Sequence, residues 1–286
     1  MNTSAPPAVD CSLRKKVSIT ACLVFDTAWR VGSGKEGETL SDLGVVLDPS
    51  GQPVLPGSSL KGRFRSTCET IAHALGLRAC ILDHQASGIE CTSDIRYYRN
   101  VREDYRTESQ KGLQQRVRWI DQHTCDVCKL FGSPVMAGRI RLSDGQLRDW
   151  AEIVQVRDGV VIDRDSQTAV DGLKYDYEVV PPGSRFQIHI DLDNPTDADL
   201  AMVGAALFEW HAGSTVGGFT SRGLGRFHLE DTKLYGVDLD DATQRIRFLT
   251  KANSADRFSD LGNWEAYFTA FIELQVSSSS DNQPAH

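Results

Sequence analysis

The chain has 286 residues, 40% of them hydrophobic and 24% charged, with a formal net charge of −8. That is enough for one large domain or two small ones around a sizeable core, and the composition is ordinary for a soluble globular protein. No apolar run reaches the roughly 20 residues of a membrane helix, the amino terminus lacks the basic-then-apolar pattern of a secretory signal, and the acidity argues against a general nucleic-acid binder. The expected location is the cytoplasm. There, seven cysteines, two of them spaced Cys-x-x-Cys, point to metal or redox use before disulfides. The charge is unevenly spread. Residues 95–119 hold seven cations against three acids, whereas residues 229–286 hold ten acids against five cations.

Residues 1–12 and 277–286 are small and polar and read as disordered ends. "VSITACLVF" puts Val17, Ile19, Ala21, Leu23 and Phe25 on alternate positions, the period of a strand. "VGSGKEGE" (31–38) has the glycines of a phosphate loop, but Glu36 follows Lys35 where Ser or Thr is required. Leu60, Phe64, Cys68, Ile71 and Leu75 then form a helical stripe, which Ser58 or Ser59 can cap and Gly76 can end. Strands follow through Ile140 and Leu142, and through Phe186, Ile188, Ile190 and Leu192. A second helix begins at Thr196, with Asp199 completing a capping box, and its stripe is Leu200, Val203, Leu207 and Trp210. "GRFHLEDTKLYGV" returns as a strand, and 241–276 is ambiguous, although Trp264, Tyr267, Phe268 and Phe271 could line a helix.

The order strand, helix, strand, strand, helix, strand predicts an α+β fold with a ferredoxin-like (RRM-like) core. Two stretches fall outside that core: roughly 76–138, rich in Cys, His and Arg, and roughly 145–184. Long insertions on a small core usually carry function.

Cys125 and Cys128 have the spacing that lets two thiolates grip a tetrahedral Zn²⁺, and Cys80 and Cys91 offer a second pair, with His84 and His123 as alternates. Four protein ligands would make the site structural. Two other readings stay open: Cys80 and Cys91 as buried small hydrophobes, and Cys125 and Cys128 as a redox pair. "LPGSSLKGRFRS" (55–66) puts Lys61, Arg63 and Arg65 at a helix start, where cations are disfavoured, so the turn expects an anion. In "GSTVGGFTSRGLGRF" (213–227), Gly217, Gly218, Gly223 and Gly225 either bring N–H groups to an anion beside Arg222 or only allow a tight helix-to-strand connection. Together with the basic insertion, these segments fit a polyanion contacted at many phosphates, and nucleic acid suits that better than a single nucleotide.

"LPGSSLKGRFR" and "GGFTSRGLGRF", in that order over such a core, resemble the repeat-associated mysterious protein (RAMP) superfamily of CRISPR systems. More narrowly, the chain resembles the backbone (stalk) subunit of type III effector complexes. Three further segments carry that likeness: "SDLGVVLDPSGQPVLPGSSLKG", "CDVCKLFGSPVMAGRIRLSDG" and "VIDRDSQTAVDGLKYDYEVVPPGSRF". The resemblance extends over residues 17–236 and implies a single domain over 13–276, with the zinc-binding insertion inside it and a protruding thumb hairpin at about 156–180.

It implies that Ser58, Ser59, Lys61, Arg63, Arg65, Gly217, Gly218, Arg222, Gly223 and Gly225 hold the backbone of a guide RNA. It also implies that the thumb displaces one base pair of the guide–target duplex at regular intervals. Asp42, in "LSDLGVV", matches the family's target-RNA cleavage residue, acting with Mg²⁺ or another divalent cation; the nearby Asp48 sits in "LDPSGQP", which reads as a turn. The implied partners are guide RNA, target RNA and the other subunits of the complex, including like backbone subunits, with no membrane. Two alternatives stand beside this reading. One is a silent guide-holding scaffold; the other is a metal-independent endoribonuclease for guide precursors, using His84, Tyr97, Tyr98 or His123 as acid and base.

Overall fold

The computed structural model describes residues 12–32, 43–80, 91–93, 106–107 and 112–280. Asp42, His84, Tyr97 and Tyr98 lie outside the described residues. Strand β1 (Lys15–Phe25) turns Val17, Ile19, Ala21, Leu23 and Phe25 inward, each at most 1% exposed. Helix α1 (Gly57–Ile71) buries Leu60, Phe64 and Cys68, tightens into a 3₁₀ turn over Ala72–Leu75, and stops at Gly76 in the left-handed region (φ 67°).

The start of α1 differs from the sequence expectation. Its N-cap is Pro56, and neither Ser58 nor Ser59 caps it. Instead the Gly57 amide donates to Asp144 Oδ1 at 2.7 Å. A Cβ on Gly57 would lie 2.7 Å from the Leu142 carbonyl oxygen, so the turn can sit against residues 142–145 only because it carries a glycine there.

Helices α2 (Leu113–Gln122) and α3 (Asp126–Phe131) precede strands β2 (Ile140–Leu142), β3 (Gln146–Asp149), β4 (Gln155–Ile162), β5 (Ala169–Val179) and β6 (Arg185–Asp193). Then come α4 (Asp197–Ala212), β7 (Ser214–Thr215), β8 (Arg226–Asp238), α5 (Ala242–Thr250), α6 (Ser254–Arg257), β9 (Ser259–Asp260) and α7 (Trp264–Ser280). The fold is mixed α+β. The main sheet runs β2-β6-β1-β8-β7, all antiparallel, with β3 also on β6 and β9 also on β8. Part of the stretch 145–184 thus joins the main sheet through β3.

α1 and α4 cover the apolar face of this sheet. Trp210 of α4 is their hub: its ring centroid lies 4.9 Å from that of Phe64 and 5.0 Å from that of Phe227, and its indole N–H donates to Thr67 Oγ1 at 3.1 Å. The capping box at Thr196 and Asp199 is formed in both directions. α4 is buried on nearly every side because α7 packs on its far side. Gly204 makes that contact possible, since a Cβ there would lie 2.5 Å from the Phe268 Cβ. α7 runs on through Ser280, into the stretch expected to be a disordered tail. The hydroxyls of Ser277, Ser278 and Ser279 donate back to the carbonyls of Glu273, Gln275 and Val276, which accommodates a serine run in the last turns.

Strands β4 and β5 form a separate antiparallel ribbon. The Asp163 carboxylate closes its tip by accepting the amides of Asp165 and Ser166 at 2.9 and 2.8 Å. Val156, Val160, Ile162 and Leu173 are each about half exposed along it. At its base Val179 and Val180 are buried, Val180 pairs with Trp29, and the Leu43 amide donates to the Asp176 carbonyl at 3.2 Å. Among the described residues, no helix is long and apolar enough to cross a membrane.

Candidate nucleic-acid interface and metal centre

The three cations of the front turn point to different places. Lys61 is half-buried, and its pKa is lowered first by burial and then by the charges of Arg65 and Arg141. Arg141, on β2, is a cation that sequence reasoning missed; it ion-pairs with Asp193 and brings a further positive group toward Lys61. Arg63 extends Nε and Nη2 to Ser214 Oγ at 3.2 and 3.1 Å, which ties α1 to the start of the glycine-rich loop. Arg65 turns the other way, donating from Nε to Glu69 Oε1 at 2.8 Å and from Nη2 to Cys128 Sγ at 3.1 Å. Ser58 is exposed and Ser59 half-buried beside them.

The back loop is held by backbone contacts, chiefly to residues 28–30. Gly217 and Gly225 have φ of +94° and +75°, and a Cβ on either would lie 2.1 Å from a carbonyl oxygen, of Arg30 and Val216 respectively. The amides of Gly218, Gly223 and Gly225 donate to the carbonyls of Arg30, Thr220 and Ala28 at 2.9, 3.2 and 2.8 Å. These N–H groups serve the tight connection rather than an external anion.

What the loop presents outward is side chain. Arg222 is exposed, hydrogen-bonds the Tyr175 hydroxyl of the ribbon, and sits 5.0 Å from the Phe219 ring centroid. Arg30, which sequence reasoning also missed, lies 5.1 Å from the same ring and is only 7% exposed; burial lowers its pKa, opposed by Glu178 and Tyr177. Tyr177 meets Phe219 edge-on at 5.0 Å. The base of the ribbon and the glycine-rich loop are therefore one packed unit.

Cys80, Cys91, Cys125 and Cys128 are all buried, and their sulfurs lie within 4.8 Å of one another. Cys80 and Cys128 are 3.4 Å apart, as are Cys125 and Cys80. A tetrahedral ion with Zn–S bonds of about 2.3 Å sets its sulfurs about 3.8 Å apart, so the donor set and its size fit such a metal. Cys125 is the N-cap of α3, and the segment before Cys80 is pinned beside it by Arg78 and Asp126, whose amides donate to Asp126 Oδ2 at 2.8 Å and to the Arg78 carbonyl at 3.0 Å. Hydrogen bonds from Cys125 first, then Cys128 and Cys80, lower the Cys91 thiol below its ordinary range. His123 is not a member of the group; its ring stacks on Trp119 at 4.4 Å. Four buried sulfurs leave no open coordination position, which suits a structural site.

Residues 22–228 match the family model described as the RAMP superfamily. The chain is also similar to the CRISPR system Cms endoribonuclease Csm3 of Methanocaldococcus jannaschii, at 24% identity over 244 residues, covering 78% of this chain and 82% of that protein.

Proposed function

The chain belongs to the RAMP superfamily, and from that premise we propose that it is the backbone subunit of a type III CRISPR effector complex, binding guide RNA and cleaving complementary target RNA. One observation carries the reading: a cationic face and an apolar ribbon meet on one scaffold. Lys61 and Arg141 lie close together on α1 and β2, Arg63 joins α1 to the loop bearing Arg222, and Arg222 touches the ribbon. The similarity to a protein named as a CRISPR endoribonuclease supports it. The strand order β2-β6-β1-β8, with α1 and α4 on one face, supports a ferredoxin-like core within a single domain over 13–276.

In this reading the RNA backbone is gripped by side chains. Ser58, Ser59, Lys61, Arg63 and Arg222 contact phosphates and sugars. Gly217, Gly218, Gly223 and Gly225 shape the loop that carries Arg222. The ribbon is the thumb, and the half-exposed Val156, Val160, Ile162 and Leu173 supply apolar surface to wedge into a base step. The four cysteines hold a structural Zn²⁺ that fixes the insertion against α1.

Cleavage is placed at Asp42, whose chain neighbour Leu43 pairs with Asp176 and Glu178 at the base of the ribbon. A divalent cation such as Mg²⁺ would there help align a ribose 2′-hydroxyl for attack on the adjacent phosphate. That part rests on the family resemblance. Among the described residues the group able to hold a metal is the cysteine cluster, a soft donor set unsuited to Mg²⁺.

The test is to assemble the protein with its partner subunits and a guide, add labelled complementary RNA and Mg²⁺, and compare wild type with Asp42→Ala. Cuts at even spacing by wild type, lost in a variant that still binds, are the expected result. Binding without cutting by both proteins would make the subunit a guide-holding scaffold. Metal-free cleavage of repeat RNA by the isolated chain would favour the precursor-processing alternative.

A further inference from the structure

Arg65 stands in the front motif with Lys61 and Arg63, yet its guanidinium faces the cysteine cluster. Its Nη2 lies 3.1 Å from Cys128 Sγ, and Glu69 holds its Nε at 2.8 Å, which fixes the direction of the fork. The other sulfurs each have a neutral donor. Cys91 accepts from the Cys125 amide at 3.3 Å, Cys125 accepts from the Cys80 and Cys128 amides at 3.4 Å each, and Cys80 lies 3.0 Å from the Ser93 hydroxyl. Every sulfur thus has an outer-shell partner, and among the described residues Arg65 is the charged one.

A divalent ion bound by four thiolates leaves a net charge of about −2 in a buried place, which strongly favours a nearby fixed cation. We infer that Arg65 is a positioning residue of the metal centre, neutralising the thiolate of Cys128 and locking helix α1 to the centre. This rests on the reading of the four cysteines as a zinc site. It also divides the front motif: Arg63 reaches the glycine-rich loop and Lys61 lies toward Arg141, while Arg65 holds their helix to the metal. Loading of the centre and the grip of α1 on RNA are coupled through one side chain.

The experiment uses the full chain loaded with zinc, as wild type, Arg65→Gln, Arg65→Lys and Glu69→Gln. Zinc content is measured first, then the rate of zinc loss to a chelator, then the absorption spectrum with Co²⁺ in place of zinc. Arg65→Gln should lose zinc about 10–100-fold faster, the usual size of an outer-shell effect. Its sulfur-to-cobalt charge-transfer band should move to longer wavelength, because a thiolate without a donor holds its electrons less tightly. Arg65→Lys should recover part of both effects, since it keeps the charge and loses the fork. Glu69→Gln removes the charge of the ion pair but keeps an oxygen that can accept from Arg65 Nε and so hold the fork toward Cys128, so it should retain zinc nearly as wild type does; it serves as the control for general loss of packing.

If Arg65→Gln keeps zinc and an unshifted cobalt band while its affinity for single-stranded RNA falls, the inference is overturned and Arg65 belongs to the RNA face. Equal acceleration of zinc loss in Arg65→Gln and Glu69→Gln, with no spectral change in either, would also overturn it. If the wild-type chain holds no stoichiometric metal, the zinc reading itself fails and takes this inference with it.

Discussion

The two glycine-and-arginine segments look alike in sequence, yet they fill the same needs from opposite sources. At the front, the amide of Gly57 is met by the carboxylate of Asp144, 87 residues along the chain, and the cations leave the turn in different directions. At the back, the amides of Gly218, Gly223 and Gly225 are met by backbone carbonyls, two of them (Arg30 and Ala28) at the other end of the chain, and the exposed Arg222 packs over the Phe219 ring. In both segments the glycines serve close approach of backbones, and the charge that remains for a ligand sits on side chains. A glycine-rich motif is therefore weak evidence that an anion binds to amides, even where the family is correctly identified.

The largest effect is expected inside the back loop. Gly225→Ala combines left-handed strain with a Cβ 2.1 Å from the Val216 carbonyl oxygen. It should cost about 3 kcal/mol or more from strain and overpacking together, a fall of about 6–12 °C in Tm for a chain of this size. Gly223→Ala has similar φ (+88°) but nothing within 4 Å of the added Cβ, so it should cost only about 1–2 kcal/mol. Equal losses for the two, measured by thermal denaturation, would mean that backbone packing is not what the glycines are for.

At the front, Asp144→Ala should cost about 1–2 kcal/mol, the usual effect of removing a helix cap, whereas Ser58→Ala should be close to neutral in stability because Ser58 does not cap the helix. Chemical denaturation of the two variants side by side decides it. The reverse ranking would restore the local serine cap.

The smallest expected effect is electrostatic and lies on the polar face of the sheet. His228 sits between Glu230 and Asp26, with its ring nitrogens 3.1 and 2.8 Å from their carboxylates. The hydrogen bond to Glu230 and then that to Asp26 raise its pKa above the ordinary 6.5, and burial partly opposes them. Because the folded value is the higher one, protonated His228 contributes stability fully below about 6.5, and the contribution is lost as pH rises through the folded pKa. Glu230 is shifted the other way, by His228 and Arg185, so its contribution is present above about 4.5 and lost as pH falls through its lowered pKa. Tm measured from pH 6 to 8 should decline more steeply for wild type than for His228→Gln. Parallel curves would show that the network adds nothing.

Much of the scaffold was legible because it follows short-range periodicity. The alternating apolar residues of β1 and β6, the stripe of α1 and the box at Thr196 and Asp199 are all decided within a few residues of one another. Helix α7 was ambiguous because it combines an aromatic stripe with a serine run, and its burial depends on the contact of Phe268 with Gly204. At the site, Cys-x-x-Cys spacing singled out Cys125 and Cys128, and the fold brings Cys80 and Cys91 to them. No local pattern could show that Asp144 caps α1, that Arg141 comes near Lys61, or that Arg65 donates to Cys128. Those facts depend on how β2 and the loops after α1 and β2 dock onto the helix.

In the proposed function, the face built by α1, β2 and the back loop grips RNA through side-chain cations. The most direct measurement is the affinity of the assembled protein for guide RNA as a function of salt, for wild type, Lys61→Gln and Arg222→Gln. Each substitution should weaken binding and reduce the slope of log affinity against log salt by about one, with thermal stability unchanged for Lys61→Gln. Affinity and slope equal to wild type in both variants would contradict it and move the RNA-binding face elsewhere on the molecule.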